Sequence, residues 1–567
     1  MIEGLNPAFI LLGAALILPA LPVNARRVVM LAAPVLGLAQ LWSLPNGEHG
    51  LVTAYGLHLI TLRVDSLAFV FGVIFHLAAL LGAVYALHVK DTTQHVATLV
   101  YAGAAIGAVL AGDLITLFVY WEMAALASVF LIWSSRTQTA FRVGLRYLLI
   151  QLASGVLLLA GAALHYQEAG AVGFGHIGLH SPGGALIFLA FGIKCAFPLL
   201  HNWLQDAYPH GTVSGTVILS AFTTKLAVYA LARGFAGESL LITIGAVMTA
   251  FPIFFAVIEN DLRRVLSYSL NNQLGFMVVG IGVGTQMGID GAVAHAFAHI
   301  LYKALLFMSM GAVLLRTGTV KASELGGLFK SMPWTAGFCI VGSASISAFP
   351  LFSGFVTKSM ILAAAAEQHH WVAFLVLLFA SAGVLDHSGI KVPYFSFFAH
   401  DSGIRCKEAP ANMLIAMGVT AFLCIAIGVY PAPLYSILPY PVSFEPYTLT
   451  HVVTQMQLLM FSMLAFTLLM RAGLYPPEIR SVNLDFDWVY RRGIPRAFSA
   501  LRTATLGPRE TIQRSRTAFI ESTVDALRRL HGPDGALARY RTTSSMVLTL
   551  LMAFLILLVV VFLGSRA

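Results

Sequence analysis

Charged residues are scarce in this sequence: only 10% of its 567 residues are Asp, Glu, Lys or Arg, whereas 58% are hydrophobic. Soluble proteins carry about 25% charged residues, so this composition excludes an ordinary soluble domain and indicates a chain that crosses a membrane many times. Cysteine is also rare, and no two cysteines form a CxxC pair. The four are Cys195, Cys339, Cys406 and Cys424. Their spacing argues against a disulfide framework, an iron–sulfur cluster and a zinc site.

The sequence also lacks a nucleotide-binding motif, and no second histidine pair is placed to hold a haem with His295 and His299. We therefore expect no cofactor and no enzymatic activity on this chain. The net charge of +9 does not indicate nucleic-acid binding, because the basic residues stand in short loops between apolar runs. No basic segment precedes the first apolar run, from about Asn6 to Val23, which is typical of a retained span rather than a cleaved signal peptide.

Apolar runs of about 17–25 residues, long enough to cross a bilayer, recur along the whole chain. They predict an all-α, polytopic membrane protein with about sixteen transmembrane helices. The predicted spans are 5–23, 28–44, 66–87, 96–112, 114–133, 144–166, 184–203, 213–234, 239–258, 266–286, 291–315, 336–365, 371–392, 412–430, 451–470 and 546–564.

Basic residues are distributed unequally between the loops that join these spans. The loops after odd-numbered spans, except the one after span seven, hold Arg26, Arg27, Lys90, Arg136, Arg142, Arg263, Arg264, Lys321, Lys330, Arg405 and Lys407. The loops after even-numbered spans hold almost none, and Arg63 is the clearest case. Short basic loops stay in the cytoplasm. We therefore expect a multi-pass protein of the bacterial inner membrane with both termini facing outward.

Residues 474–543 differ from the rest, because they hold twelve arginines, seven acidic residues and no lysine. Since they follow span fifteen, we expect them in the cytoplasm. The stretch RETIQRSRTAFIESTVDALRRLHG mixes apolar and charged residues at helical spacing, which predicts an amphipathic helix lying along the membrane or a partner subunit. A basic linker without fixed structure is the alternative. Residues 546–564 are uniformly apolar and predict a plain anchor helix.

Several ionisable residues stand inside predicted spans, where a charge at the bilayer centre costs about 3 kcal/mol. They are Glu122, Lys194, Lys225, His295, His299, Lys303 and Lys358. His295, His299 and Lys303 stand at i, i+4 and i+8, so they form one stripe of a helix. Lys, His and Glu at similar depth on successive helices are what a proton relay requires, since histidine titrates near neutral pH and a buried lysine changes charge with its partners.

Each of these residues also has a purely structural interpretation. Glu122 can pair with a lysine merely so that both are buried, and the histidines can be satisfied core residues. Lys194 can extend from near a helix end to the headgroups. Asp386, His387 and Lys391 stand closer to the end of span thirteen, and we expect Lys391 to extend to the membrane surface in this way.

Two spans share a short motif around a proline: AFPLLH at 196–201 and AFPLFS at 348–353. Each motif has a lysine within two turns of its proline, Lys194 in the first and Lys358 in the second. Proline removes a helix hydrogen bond, so both helices are predicted to be interrupted, near Pro198 and Pro350. The two spans lie five apart, and an odd step reverses direction in the membrane, which is the pattern of inverted repeats in transporters.

Four stretches carry a family resemblance: the WE pair that includes Glu122, the GIK-to-HNWLQDAYP segment, NDLRRVLSYSLNNQLGF at 260–276, and HAFAHILYKALLFM at 295–308. Over about residues 60–400 the chain resembles the antiporter-like subunits of respiratory complex I and the large subunits of Mrp-type Na+/H+ antiporters. With LDFDWVYRR near 484–492, it is most similar to the D-type subunits of Mrp antiporters. The tail is similar to that of the longest complex I antiporter-like subunit.

The resemblance implies two inverted five-helix repeats with interrupted helices. The implied regions are N-terminal helices 1–95, first repeat 96–234, second repeat 239–392, C-terminal helices 412–470, a cytoplasmic lateral segment 474–543 and an anchor 546–564. The implied roles are an ion pair for Glu122 and Lys194, a bridge for Lys225, a central relay for His295, His299 and Lys303, and a second half-channel for Lys358. Gln205 and Tyr208 depart from the family's HxWLPDAH-type pattern, which weakens any role for their loop.

We therefore expect a proton-translocating subunit of a multisubunit Na+/proton antiporter. Its expected partners are other membrane subunits, the lipid bilayer, protons and Na+, and not nucleic acid. Two alternatives remain open: the same module in an NADH:quinone oxidoreductase-like or hydrogenase complex, and an energising subunit for an inorganic-carbon uptake protein. A scaffold without transport would not need buried lysines. The sequence does not identify the coupling ion, because Na+ would want several oxygen ligands and few buried carboxylates are present.

Overall fold

The computed structural model describes residues 4–54, 56–480, 483–505, 510–531 and 543–564, which are mostly helical. The helices before residue 260 are α1 Ala8–Ile17, α2 Val23–Ser43, α3 Ser66–Tyr85, α4 Thr92–Val109, α5 Leu114–Trp133, α6 Gln138–Ala169, α7 Pro182–Cys195, α8 Asn202–Ala207, α9 Val213–Ala221, α10 Thr223–Gly234 and α11 Ser239–Ile258. The later helices are α12 Leu262–Val283, α13 Gln286–Thr317, α14 Pro333–Ile346, α15 Ser353–Glu367, α16 Trp371–Val384, α17 Lys391–Pro393, α18 Ala411–Val429, α19 Ala432–Tyr435, α20 Leu449–Arg471, α21 Ile494–Thr505, α22 Glu510–His531 and α23 Thr543–Gly564.

Capping side chains explain where many helices begin. A side-chain oxygen of the preceding residue accepts a backbone N–H of the first turn, which satisfies a donor that the helix itself leaves free. The residues that do so are Asp65, Asp91, Asp113, Thr137, Ser181, Thr212, Asp261, Thr285 and Thr448. Short polar residues at the borders of apolar runs therefore fix the ends of the helices.

In the described part of the chain, nine helical segments are long and apolar enough to cross a membrane. They are Ser66–Tyr85, Leu114–Trp133, Gln138–Ala169, Val213–Gly234, Ser239–Ile258, Gln286–Thr317, Trp371–Phe398, Ala411–Val429 and Leu449–Arg471. Three shorter apolar helices are Ala8–Ala20, Pro182–Cys195 and Val547–Leu558. Interruptions shorten the helices of two predicted spans, α7 and the pair α14 and α15. Helices α2, α4 and α12 are long enough to cross a membrane but are not among the nine that are also sufficiently apolar. The count of sixteen spans stays a prediction.

A β-hairpin joins α2 to α3, where the sequence analysis assigned no regular structure. Strand β1 spans Gly47–Ala54 and pairs antiparallel with β2, Leu57–Val64. The run LHLITLRV alternates apolar and polar residues next to Gly56, which is the ordinary signal of a hairpin. The Asp113 carboxylate ties the hairpin to α5, because Oδ2 accepts the Ile60 N–H at 2.8 Å.

The loops rich in Lys and Arg lie on one face of the helical body, which we call the basic face. Arg136, after α5, pairs with Asp91, before α4, at 3.1 Å. Further contacts between these loops and the adjoining helix ends are Arg26–Thr92, Ser135–His210, Arg263–Gly211, Lys330–Asp401 and Arg480–Glu324. The basic loops thus contact one another directly, although which side of a membrane they face stays a prediction.

The chain divides into two compact units, Met1–Asp485 and Phe486–Ala567. In the first, the most interior apolar helices are Val213–Gly234, which is 100% buried, and Gln286–Thr317, which is 89% buried, whereas Leu449–Arg471 is only 22% buried. The second unit contains α21, α22 and α23, and apolar side chains such as Phe498 and Phe519 are exposed. Helix α22 covers much of the predicted amphipathic stretch, and its lateral position stays a prediction.

Candidate functional site

The helix that carries Lys194 is interrupted immediately after it. Helix α7 ends at Cys195 and α8 begins at Asn202, so Pro198 lies between them. Ala196 and Leu199 adopt left-handed backbone conformations, with φ of 61° and 70°. Such conformations are unfavourable for residues that carry a Cβ, and they persist only where the surrounding structure holds them.

The second AFPL motif adopts the same backbone as the first. Helix α14 ends at Ile346 and α15 begins at Ser353, with Pro350 between them. Ala348 and Leu351 have φ of 58° and 72°, matching their counterparts in the first motif. The four shared letters therefore encode the same local structure at both positions.

Lys194 is buried against the helix that carries Glu122. Its Nζ donates to the Trp121 carbonyl at 2.7 Å and lies 4.2 Å from the centroid of the Trp121 ring. Glu122 is half-buried and interacts electrostatically with Lys194. A Cβ at Gly155 would overlap the Glu122 carboxylate, so glycine at that position in α6 makes room for the acid.

Lys225 and Lys358, one in each half of the protein, make the same kind of hydrogen bond. Each lies in the second part of an interrupted helix and bonds a carbonyl at the end of the first part. Lys225 Nζ donates to Ser220 O at 2.6 Å, and Lys358 Nζ donates to Ile346 O at 2.9 Å. The last carbonyls of a helix lack intrahelical partners and carry partial negative charge. An interruption therefore supplies a buried acceptor for an amine.

The interruption beside Lys225 was not predicted. Helix α9 ends at Ala221 and α10 begins at Thr223, with Phe222 between them. Span eight contains neither proline nor glycine near this position, so its sequence offers no breaker signal.

The predicted stripe on α13 is fully buried and joined by hydrogen bonds to two neighbouring helices. His295 Nδ1 lies 3.0 Å from Thr357 Oγ1 on α15, and Nε2 lies 3.2 Å from Gln273 Oε1 on α12. Tyr302 donates to the same Gln273 oxygen at 3.1 Å. The His299 ring stacks at 6.2 Å from that of His295. The stripe thus links the interior of α12 with the helix that carries Lys358.

Lys303, the last member of the stripe, contacts α12 instead of an acid. Its Nζ donates to Ser269 Oγ at 2.9 Å and lies 3.4 Å from Leu266 O. Ser269 in turn accepts a hydrogen bond of 2.7 Å from Ser388 Oγ. The contact connects the central lysine to the segment after α16.

Several buried polar atoms near these residues have no hydrogen-bond partner within the described protein. They belong to Glu122, Gln151, Gln205, Asn271 and His299, among others. Polar groups in protein interiors are ordinarily bonded, often by water. A buried polar group without a protein partner is ordinarily satisfied by bound water.

The sequence analysis missed the polar residues that connect the relay candidates. Gln273, Ser269 and Thr357 each bond one of them directly. A signal was present, since the polar run Asn271–Gln273 interrupts an otherwise apolar helix. Gln205 and Tyr208, the departures from the family pattern, are both buried, and the Tyr208 hydroxyl donates to Leu219 O at 2.7 Å.

Lys391 does not extend to the membrane surface, so the expectation that it would do so was wrong. Its side chain is fully buried, and its Nζ lies 2.8 Å from Glu478 Oε1 and donates to Val257 O at 2.6 Å. Glu478 comes from the segment after α20, which the sequence analysis did not connect with span thirteen. Because Glu478 pairs with the Lys391 ammonium, the lysine is stabilised inside the protein and does not have to extend to water.

These features define a helical membrane protein with a row of buried amines and imidazoles. The family model described as NADH:quinone oxidoreductase/Mrp antiporter, transmembrane, matches residues 111–384. The D subunit of the Na+/H+ antiporter from Alkalihalophilus pseudofirmus is 31% identical over 356 residues, covering 58% of this chain and 71% of that protein. Hydrogenase-4 component B of Escherichia coli is 26% identical over 418 residues, or 65% of this chain and 62% of that protein.

Solved structures show the same fold. A chain of the Mrp complex from Dietzia superposes with a TM-score of 0.68 at 22% identity, covering 76% of this chain and 95% of that one. A chain of Thermus thermophilus respiratory complex I superposes with a TM-score of 0.67 at 21% identity, covering 76% and 99%. The chain belongs to the NADH:quinone oxidoreductase/Mrp antiporter transmembrane family.

Proposed function

We propose that this chain is the proton-translocating subunit of a multisubunit Na+/proton antiporter in a bacterial inner membrane. Protons move along Glu122, Lys194, Lys225, His295, His299, Lys303 and Lys358. The chain transports ions rather than catalysing a chemical conversion, and it works together with other membrane subunits. Each half of the protein, 96–234 and 239–392, forms one half-channel around its interrupted helix.

The observation that carries the proposal is the set of three interior lysines without acidic partners. In the described part of the chain, no carboxylate lies within 4 Å of Lys225, Lys303 or Lys358, although each is buried to within 1% exposure. A lysine kept only for structure would be paired or replaced by an apolar residue, because an uncompensated buried charge is strongly destabilising. Amines bonded to carbonyls and hydroxyls are instead suited to exist both with and without the proton.

The hydrogen bonds between the helices support a continuous route through the centre. His295 joins α13 to α12 and α15, and Lys303 joins α13 to Ser269. Histidine and lysine exchange protons through such contacts or through one bridging water. The unpaired polar atoms of His299 and Asn271 lie where such a water would bind.

The relatives favour an antiporter and leave one second candidate. The similarity to the D subunit of a Na+/H+ antiporter supports coupling of protons to Na+. The similarity to hydrogenase-4 component B supports the same proton route driven by redox chemistry on partner chains. Among the described residues, no cluster of three or more His, Cys, Asp or Glu side chains could hold a metal ion.

Transport by the whole complex in vesicles tests the proposal. Lys303→Met keeps the length of the side chain but removes the exchangeable proton, and we expect proton flux to fall about tenfold or more. Lys330→Met is the control, because Lys330 lies half-exposed on the basic face beside Asp401. Normal flux per assembled Lys303→Met complex would contradict the relay. A flux that depends on Na+ supports the antiporter, whereas one that requires an electron donor supports the redox alternative.

A further inference from the structure

The chain after α20 returns across the basic face and makes buried contacts there. We call this segment, residues 474–480 and 483–485, the strap. The Tyr475 ring packs 5.0 Å from that of Phe466, and the Asn483 side chain donates to Glu259 Oε2 at 3.1 Å. Asp485 accepts a hydrogen bond of 2.7 Å from the Tyr268 hydroxyl. These contacts fix the strap over the cytoplasmic end that the loop charges predict.

The strap places a carboxylate beside a buried lysine of the helical body. Glu478 is 7% exposed at its side chain, Lys391 is 0% exposed, and 2.8 Å separates Oε1 from Nζ. The Glu478 side chain therefore reaches nearer to the surface than that of Lys391, although both of its carboxylate oxygens are buried, so that a bridging water would have to connect them with the aqueous phase. The pair stands at the boundary between the aqueous phase and the protein interior.

A chain of side chains leads inward from this pair to the central lysine. Lys391 interacts electrostatically with His387, which stands one turn earlier in the π-helical turn Leu385–Ile390. His387 Nδ1 lies 2.8 Å from Ser388 Oγ. Ser388 and Lys303 both bond Ser269, at 2.7 and 2.9 Å. A π-helical turn widens the helix locally and is frequent at functional sites.

We propose that Glu478 is the proton-exchange residue of the second half, passing protons between the aqueous phase at the basic face and Lys391. In the inward step, the O–H bond of the protonated carboxyl breaks and an N–H bond forms on the neutral amine, which leaves a carboxylate beside an ammonium. The ammonium then gives its proton to the neutral imidazole of His387, and the carboxylate takes a new proton from water. The inference rests on the proposed function, because it extends the same relay.

The charges around Glu478 suit such an exchange. Burial raises the pKa of Glu478 above its ordinary value, while the Lys391 ammonium opposes that rise. The Glu259 carboxylate, at the end of α11, adds to the rise. Tyr475 on the strap also faces Glu478. A raised pKa brings the protonated form of the carboxyl closer to the pH at which it would have to exchange protons.

Glu478→Gln in the complete complex tests the proposal, with proton flux per assembled complex measured in inverted vesicles between pH 6 and pH 9. We expect a fall of about tenfold and the loss of one step in the pH profile. Glu324→Gln is the matched control, since it also removes a carboxylate that holds the strap, through exposed Arg480. We expect its flux and pH profile to match those of the unmodified complex.

A second variant separates the relay from a purely structural ion pair. If the pair only fixes the strap, Glu478→Gln with Lys391→Gln removes both charges together and should restore assembly and normal flux. The proposal predicts normal assembly with flux still about tenfold low. Recovered flux in the double variant, or an unchanged flux and pH profile in Glu478→Gln, would overturn it. If Lys303→Met also has normal flux, the proposed function fails; if only Lys303→Met is impaired, the role of Glu478 alone fails.

Discussion

At the scale of single residues, the buried lysines are stabilised chiefly by backbone carbonyls. Lys225 and Lys358 each donate to a carbonyl at or near the end of a helix, whereas Lys391 donates to a carbonyl and is also paired with the Glu478 carboxylate. A carbonyl stabilises the ammonium more weakly than a carboxylate does, and it also tolerates the neutral amine. Such a lysine can therefore change its protonation state without leaving an unpaired buried carboxylate behind.

Glu122 and Lys194, like Glu478 and Lys391, are an acid and an amine that interact in the interior. Glu122→Gln is nearly isosteric, so we expect assembly to survive while proton flux falls about tenfold or more. Lys194→Ala should give the same pattern. A structural pair would behave in the opposite way, with a lower yield of complex and normal activity per complex. Yield and flux measured on the same membranes distinguish the two cases, and normal flux in both variants would remove this pair from the relay.

Gly155 provides a test that leaves both ionisable groups in place. A Cβ at this position would overlap the Glu122 carboxylate, so Gly155→Ala should displace the acid while keeping its charge. We expect a clear loss of flux, smaller than that of Glu122→Gln, because a shifted carboxylate still interacts with Lys194. Gly13→Ala on α1 is the control, since a Cβ there meets nothing within 4 Å. Equal flux in the two variants would show that the position of Glu122 is unimportant.

At the scale of helices and strands, the sequence predicted those helix interruptions that have a local cause. The AFPL motifs predicted both interruptions, because a proline inside a helix removes a hydrogen bond. Proline alone is not sufficient, since α2 and α11 continue through Pro34 and Pro252.

The π-helical turn Leu385–Ile390 contains one glycine, Gly389, but no proline. The break at Phe222 contains no breaker residue, so packing with the rest of the fold must produce it. The same is true of the contact between Glu478 and Lys391, whose partners are far apart in the chain. A residue's type indicates that it needs a partner, but the fold determines which partner it obtains.

In the candidate site, the sequence predicted the ionisable residues but not the uncharged polar residues that bond them. Hydropathy identified the buried lysines and the histidines of α13, because an ionisable residue within an apolar run is conspicuous, but it did not single out the buried His76 on α3. Gln273, Ser269 and Thr357 were missed, because uncharged polar residues are common in membrane helices and become informative only when their partners are known. The inverted repeats remain an expectation, supported by the matching φ angles of Ala196 and Ala348.

The capping residue at the start of α5, Asp113, should contribute more to the stability of the protein than a capping residue that is partly exposed. The fully buried Asp113 carboxylate accepts N–H groups of Ile115 and Thr116 and also of Ile60 in the hairpin. Asp113→Ala leaves these donors unpaired, which should lower stability by about 1–3 kcal/mol. Asp91→Ala removes a partly exposed cap and should cost about 1 kcal/mol. Thermal unfolding of the two variants in detergent checks the difference, and equal losses would contradict the role of burial.

At the scale of the whole molecule, the asymmetry of charge predicts the direction of the chain in the membrane. The basic loops contact one another on one face, and the hairpin lies among helix ends that carry few basic residues. Positively charged loops remain cytoplasmic.

The topology follows from this asymmetry and can be tested directly. A cysteine at Ser515, within the arginine-rich segment, should not react with a membrane-impermeant maleimide added outside intact cells, because that segment follows a span that ends on the cytoplasmic side. Leu51→Cys on the hairpin is the matched control, since Leu51 is 71% exposed and belongs to the opposite face. The native Cys406 lies in a loop of the basic face and should be equally protected. Permeabilised cells should label both introduced cysteines. Efficient labelling of Ser515→Cys from outside, with Leu51→Cys protected, would reverse the orientation and place the strap and Glu478 on the outer side of the membrane.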